Sequence, residues 1–497
     1  MEVKEMYNYM KEITKLHNAI SLIEWDMRTK IPPKGAPARA EVVGKIARMI
    51  FEMSTAPKVA EFVEYFNRPK VYDSLNEFDR RNVDLMTKEY RRQKAIPPEK
   101  FEKFSIACSK GESIWQEAKA ENNFPKFKPV LSEIVGYLRE FAEMYGYEEN
   151  RYDALIEGFE PSTTTKDIKG VIEGLKKELV PFIKKIANAK GPNESILRGT
   201  FEKSLQEKLS VEALKIMGYD FEGGRLDETE HPFTIGIGLG DVRITTKYDP
   251  NDLRPSLFGT MHEGGHALYE QGISEEYYAT PVGTGASMGI HESQSRTWEN
   301  LIGRSKEFWK FFYPKFVEIF PKYSKISMED FYRAINVVKP SLIRIEADEV
   351  TYNLHIILRF EIEEALINER IKVEDLPDVW NQKMEEYFGI RPSNDAEGVL
   401  QDVHWAGGQM GYFPSYMLGN LYAAQFFATA QKEIPDLAQR IENGDLKTFR
   451  EWQREKIHKY GALYDPKDLV VKVTGESLTH KYFMDYVTKK FSQIYEF

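Results

Sequence analysis

The stretch PFTIGIGLGDVRITTKYDPNDLRPSLFGTMHEGGHALYEQG (232–272) decides how the chain is read. Residues 233–246 carry two short β-type runs around a Gly240–Asp241 turn signal, which is the pattern of a hairpin. The second part predicts a helix from about Pro255 to Gln271, because proline is tolerated near a helix start and Gly272 can end it. Inside that helix lies HEGGH, residues 262–266. His262 and His266 are four residues apart, so both imidazoles project from one face and can hold one metal ion. Glu263 follows the first histidine and can reach a water on that ion. Gly264 and Gly265 each cost about 1 kcal/mol relative to alanine in a helix interior. A helix that keeps both needs close approach there, by another element or by substrate.

Most of the remaining chain reads as helix. Thr165 to Lys190 is the clearest case: Ile168, Ile172, Leu175, Leu179, Phe182, Ile183 and Ile186 fall on one face, with a Ser/Thr cluster before them and Gly191–Pro192 after. Similar patterns occupy 1–25, 36–65, 75–120, 125–147, 305–320, 328–335, 345–370, 376–387, 415–432, 447–460 and 478–495. The fold class is therefore mainly α, with a small antiparallel sheet beside the HEGGH helix. Candidate hinges are Ile31–Pro37, Glu160–Thr165, Lys190–Glu194 and Gly223–His231. The last divides a helical part, 1–225, from a second part, 226–497, that carries all the motifs.

Composition narrows the function. The chain of 497 residues is 42% hydrophobic and 29% charged, Glu- and Lys-rich, which leans toward a heat-tolerant source. The net charge of −10 is spread along the chain, and no basic run suggests nucleic acid. Cys108 is alone, so there is neither a disulfide framework nor a thiolate metal site. The N-terminus lacks a signal-peptide apolar core, and no run of about 18 apolar residues predicts a membrane span. A cytoplasmic setting is expected.

Six of the 9 histidines lie between His231 and His404, which supports a metal site. A catalytic zinc takes three protein ligands and leaves one position open. The third ligand has to come from another element, since Gly272 stands where a metzincin would place a further histidine. GIHESQSRTWEN (289–300) follows a Gly-rich loop and reads as a helix start. Glu292 on its first turn is the leading candidate, with His291 and Glu299 as rivals. Zinc would lower the pKa of a bound water and polarise a scissile carbonyl, while Glu263 accepts the water proton and passes it to the leaving amine. The hairpin before the helix either lines the substrate backbone as an edge strand or only props the helix.

Several segments together resemble the carboxypeptidase Taq family of HExxH metallocarboxypeptidases, also called thermostable carboxypeptidase 1. They are EWDMRTKIPPKGA (24–36), YDALIEGFEP (152–161), HPF (231–233), DVRIT (241–245), HEGGH (262–266), HESQ (291–294), IRIEAD (343–348), GVLQDVHW (398–405) and GYFPSYMLG (411–419). The resemblance runs over nearly the whole chain. It implies His262, His266 and Glu292 as metal ligands and Glu263 as general base. It also implies zinc, with cobalt as an alternative, and broad removal of C-terminal residues from peptides with a free C-terminus. A helical, saddle-shaped subunit with a deep groove follows, residues 1–225 forming one side and a lid, and so does a homodimer. More distant relatives, neurolysin and angiotensin-converting enzyme, carry an acidic residue four positions after the glutamate ligand. Here that position is Arg296, so the carboxylate that orients a ligand histidine must come from elsewhere, and Asp348 is the expectation.

A carboxypeptidase needs a partner for the α-carboxylate, and a guanidinium fork suits it. Arg344 leads, expected near one helix face with Ala347 and Asp348; a structural ion pair is its alternative. Arg243 is second, though pairing with Asp241 suits it better. His404 could donate to substrate or oxyanion, or be a satisfied core histidine. Tyr416, with Tyr412 as rival, could donate to the oxyanion or simply pack. His231 could contact substrate or cap the hairpin.

Overall fold

The computed structural model describes residues 1–497 and is 68% helical, with one three-stranded sheet. The helix Thr165–Ala187 buries the seven apolar residues its periodicity points inward, together with Thr165. Its start is set by a reciprocal capping box between Thr164 and Asp167. Two long helical patterns are interrupted where proline intervenes: 36–65 becomes Ala36–Ser54 and Pro57–Phe66, and 75–120 becomes Glu77–Ala95 and Pro98–Glu121. Five helices lie outside the predicted ones: three short ones of four to six residues, Pro69–Tyr72, Asp153–Ile156 and Leu437–Glu442, and two longer ones, Lys203–Met217 and Pro466–Thr474. Lys203–Met217 hides its period because Gln206 and Ser210 sit on its buried face. They pair with Ser256 and Thr260 of the HEGGH helix, Ser256 Oγ donating to Gln206 Oε1 at 2.6 Å.

The strands are β1 (Leu226–Glu228), β2 (Thr234–Gly238) and β3 (Asp241–Thr246). β2 and β3 form the expected antiparallel hairpin, turning at Gly240 with φ +75°. β1 adds a parallel partner on the other side of β3, so the order is β1-β3-β2. A strand of three residues is too short to announce itself by alternation. The sheet packs on the helix Arg254–Gly272, and Trp25 of the first helix is flanked by the guanidinium groups of Arg225 and Arg243, 5.1 and 4.5 Å from its ring centre.

One continuous core of 98 buried residues runs from Ala107 to Tyr495 and includes both sides of the Gly223–His231 segment. A separate core of 7 residues, Met6 to Met86, belongs to the N-terminal helices. No helix is long and apolar enough to cross a membrane.

Candidate metal centre

Three helices build the centre. His262 and His266 stand one turn apart on Arg254–Gly272, Glu292 comes from Met288–Arg296, and Phe413–Glu433 packs behind Glu292. Close approach is written into the glycines. A Cβ on Gly265 would lie 2.5 Å from the Gln294 carbonyl oxygen, and one on Gly419 would lie 2.5 Å from Glu292 Cγ. The two glycines of HEGGH therefore serve neighbouring helices, Gly264 facing Leu214 and Met217 and Gly265 facing the Glu292 helix backbone.

His262 Nε2 lies 3.5 Å and His266 Nε2 3.4 Å from Glu292 Oε2. Two donors that share a tetrahedral zinc at about 2.0–2.1 Å stand roughly 3.3–3.4 Å apart, so the spacing and the His₂Glu chemistry fit one such ion. The two ring Nδ1 atoms point outward. His262 Nδ1 meets Glu299 Oε2 at 2.8 Å, and His266 Nδ1 meets His291 Nδ1 at 2.6 Å. Glu299 and His291, the rivals for third ligand, are thus the partners of the two ligand candidates.

Asp348 does not orient a histidine. It accepts from the backbone N–H groups of Val350, Thr351 and Lys339 and from the Thr351 hydroxyl, and so holds the turn that leads into the helix Tyr352–Ile367. The helix starts at 352, not 345, which leaves Arg344 on a 3₁₀ turn (Arg344–Glu346) rather than on a helix face. The carboxylate that does meet a histidine is Glu299, on a π-helical turn (Thr297–Ile302) that continues the Glu292 helix. Arg296 takes the position that is acidic in the distant relatives. Its Nε donates to Glu292 Oε1 at 2.6 Å and its Nη1 to Glu299 Oε2 at 3.1 Å.

Burial opposes charge on Glu292, but Arg296 and the two histidines outweigh it and hold the carboxyl well below the usual range. Burial likewise opposes charge on Glu299, and Arg296 and His262 bring it down to about 2. Burial pushes His266 down to about 4, so it is neutral near pH 7, as a ligand must be. For His262, burial is outweighed by Glu292 and Glu299, and its pKa rises.

Glu263 is buried, and burial raises its pKa above that of a free carboxylate. The Thr234 hydroxyl of β2 lies 2.7 Å from Glu263 Oε2 and 2.8 Å from its carbonyl oxygen, tying the sheet to Glu263. Thr234 had no signal beyond its place in the hairpin.

A second cluster lies beyond Tyr352. Arg344 and Arg359 share Asp402: Arg344 Nε donates to Oδ1 at 3.0 Å and Arg359 Nε to Oδ2 at 2.7 Å. Arg344 Nη1 donates to the Tyr352 hydroxyl at 2.8 Å, and Arg296 stacks on the other side of the same residue, 4.4 Å from its ring centre. His404 Nε2 is 3.4 Å from the Tyr416 hydroxyl, and its Nδ1 is buried without a partner. Burial brings His404 to about 4, so it is neutral. Burial also lifts Tyr416 well above its ordinary value and Tyr412 to about 12, so both keep their protons, and the charge of Glu292 reaches both.

Two sequence candidates stand apart. Arg243 gives both fork nitrogens to Asp241, at 2.8 and 2.7 Å. His231 is exposed on the loop before β2.

A family model described as carboxypeptidase Taq (M32) metallopeptidase matches residues 5–491. Carboxypeptidase 1 of Bacillus subtilis is 44% identical over 99% of this chain and 98% of its own length. Thermostable carboxypeptidase 1 of Thermus thermophilus is 42% identical over the same shares. Among solved structures, Pyrococcus furiosus carboxypeptidase superposes with a TM-score of 0.96 at 39% identity, covering 98% of each chain. An M32 carboxypeptidase from Deinococcus radiodurans superposes with a TM-score of 0.96 at 32% identity, covering 99% of each.

Proposed function

Because the chain belongs to the carboxypeptidase Taq (M32) family and is therefore a metal-dependent carboxypeptidase, we propose that it trims peptides of varied sequence from a free C-terminus through Glu263. The observation that carries this reading is the convergence of His262, His266 and Glu292 within donor distance of one another, with Glu263 buried beside them.

When bound, zinc, or cobalt in its place, would polarise the scissile carbonyl and acidify the attacking water. Glu263 removes that water's proton through Oε1 or Oε2 and returns it to the nitrogen of the leaving amine as the C–N bond breaks. Thr234 holds the Glu263 carboxylate toward the sheet. Tyr416, protonated by burial, donates to the developing oxyanion, and neutral His404 stands beside it to donate to substrate.

The α-carboxylate of the substrate is drawn to the Arg344–Arg359–Asp402 cluster, where two guanidinium groups face a single carboxylate and positive charge remains in excess. Arg344 is the donor of choice, exchanging the Tyr352 hydroxyl for the carboxylate. Arg243 and His231 contribute less: Arg243 is committed to Asp241, and His231 is free to meet the substrate only at the groove edge. Residues 1–225 supply one wall and a lid, the subunit pairs as a homodimer, and the lone thiol of Cys108 suits a reducing cytoplasm.

Mass spectrometry of a digested peptide tests this reading. A ladder shortening from the C-terminus, abolished by a C-terminal amide, is expected. Internal fragments from the amidated peptide would refute it.

A further inference from the structure

The two metal-ligand candidates are held differently. His262 leans directly on a carboxylate, Glu299. His266 leans on another imidazole. His266 Nδ1 is 2.6 Å from His291 Nδ1, and His291 Nε2 is 2.7 Å from Glu270 Oε1. Glu270 is one turn beyond His266 on the same helix, so the chain leaves that helix, crosses His291 on the Glu292 helix, and returns. The His291 ring is wedged in place. Tyr269 lies 5.0 Å away, centre to centre, and Gly285 leaves room beside both rings, since a Cβ there would sit 2.9 Å from His291 Cδ2 and 3.2 Å from Tyr269 Cε1.

We propose that His291 and Glu270 form a positioning pair that selects the tautomer of His266 able to bind metal. A contact between two ring nitrogens needs one donor and one acceptor. His266 Nε2 faces Glu292 and must present a lone pair to an ion, so its proton sits on Nδ1 and is donated to His291 Nδ1. The His291 proton then sits on Nε2 and is donated to Glu270. Both bonds run in one direction, and each of the two ring N–H groups has an acceptor. The reverse arrangement sets His291 Nε2 and the Glu270 carboxylate, both acceptors, 2.7 Å apart, and places the His266 proton on Nε2 where the ion belongs. Glu270 thus acts on the ligand across two hydrogen bonds, without touching it.

This inference rests on the assignment of His262, His266 and Glu292 as ligands. The test uses the full-length chain and reads zinc affinity by competition with a chromophoric chelator at fixed pH, together with the visible absorption of the cobalt-loaded protein. His291→Phe keeps the ring volume and removes both nitrogens; zinc should bind about 10–100-fold more weakly, with a shifted cobalt spectrum. His291→Asn places an amide oxygen near the lost Nδ1 and should recover at least tenfold of that loss. Glu270→Gln should fall between wild type and His291→Phe. Far-UV circular dichroism of all three should match wild type. Equal zinc affinity for His291→Phe and wild type, or no recovery in His291→Asn, would overturn the positioning role. Full zinc affinity in His266→Ala would instead overturn the ligand assignment itself.

Discussion

Gly265→Ala separates the cost to the fold from the cost to the site. The added Cβ meets the Gln294 carbonyl oxygen at 2.5 Å and Ser295 Cα at 2.6 Å, about 0.9 Å short of ordinary contact, and both are backbone atoms that cannot rotate away. The two helices must separate. The stability terms nearly offset each other, since alanine in place of a helical glycine gains about 1 kcal/mol and an overpacked contact costs about 1–3 kcal/mol. Unfolding stability should fall by no more than about 2 kcal/mol. The metal centre has no such compensation. Donor separations of 3.4 and 3.5 Å depend on those same two helices, and metal sites tolerate only about 0.2 Å of error in ligand distance. Zinc affinity should drop by about 100-fold or more, at the upper end of what an orienting contact costs. Gly264→Ala is the control: its Cβ meets Leu214 Cδ2 at 2.7 Å and Met217 Cε at 2.8 Å, the ends of side chains that can move, so zinc affinity should stay within a few-fold of wild type. Chelator competition and urea unfolding of the two variants measure both quantities. Wild-type zinc affinity in Gly265→Ala, or equal losses in the two variants, would refute the claim that backbone contact sets the ligand spacing.

Three further outcomes follow from the surrounding residues. Asp402→Asn leaves Arg344 and Arg359 without their shared carboxylate and should cost about 3–5 kcal/mol, read as a lowered urea midpoint. Burial opposes charge on Asp402, but Arg359 and Arg344 hold its pKa well below the ordinary value; its contribution is therefore present above about pH 4 and lost as pH falls further, and wild type should lose more stability on the acid side than Asp402→Asn does. Thr234→Val removes a hydrogen bond to the Glu263 carboxylate worth about 1.5–3 kcal/mol, so kcat should drop about tenfold or more with zinc affinity unchanged, whereas an unchanged kcat would mean the hydroxyl does not orient the base.

The parts of the fold that repeat along the chain were readable from it. The helix Thr165–Ala187 and the β2–β3 hairpin follow from local periodicity and turn chemistry, and the predicted inward face of that helix is the one that is buried. Helix Lys203–Met217 was not readable, because two of its inward residues are polar and are satisfied by partners about 50 residues away. At the metal centre the difficulty was of another kind. Glu292, Arg296 and Glu299 fall on one helical face, and so do His266 and Glu270, but spacing does not distinguish a side chain that touches an ion from one that holds the ligand. That distinction is set by a few ångströms of tertiary packing, and the Gly265 and Gly419 contacts provide it. The expectation for Asp348 failed because a carboxylate just before a helix is as well suited to holding the turn that leads into it as to reaching into a site. The Arg344–Asp402–Arg359 cluster joins segments that share no local pattern, so only Arg344 could be singled out beforehand.

The central claim is that Glu263 performs proton transfer at a centre held by His262, His266 and Glu292. The most direct test is zinc content and C-terminal residue release, measured together on Glu263→Gln. The variant should bind zinc as wild type does and lose release by about 10²–10⁴-fold, the range of a general base. Undiminished release with zinc bound would contradict the account.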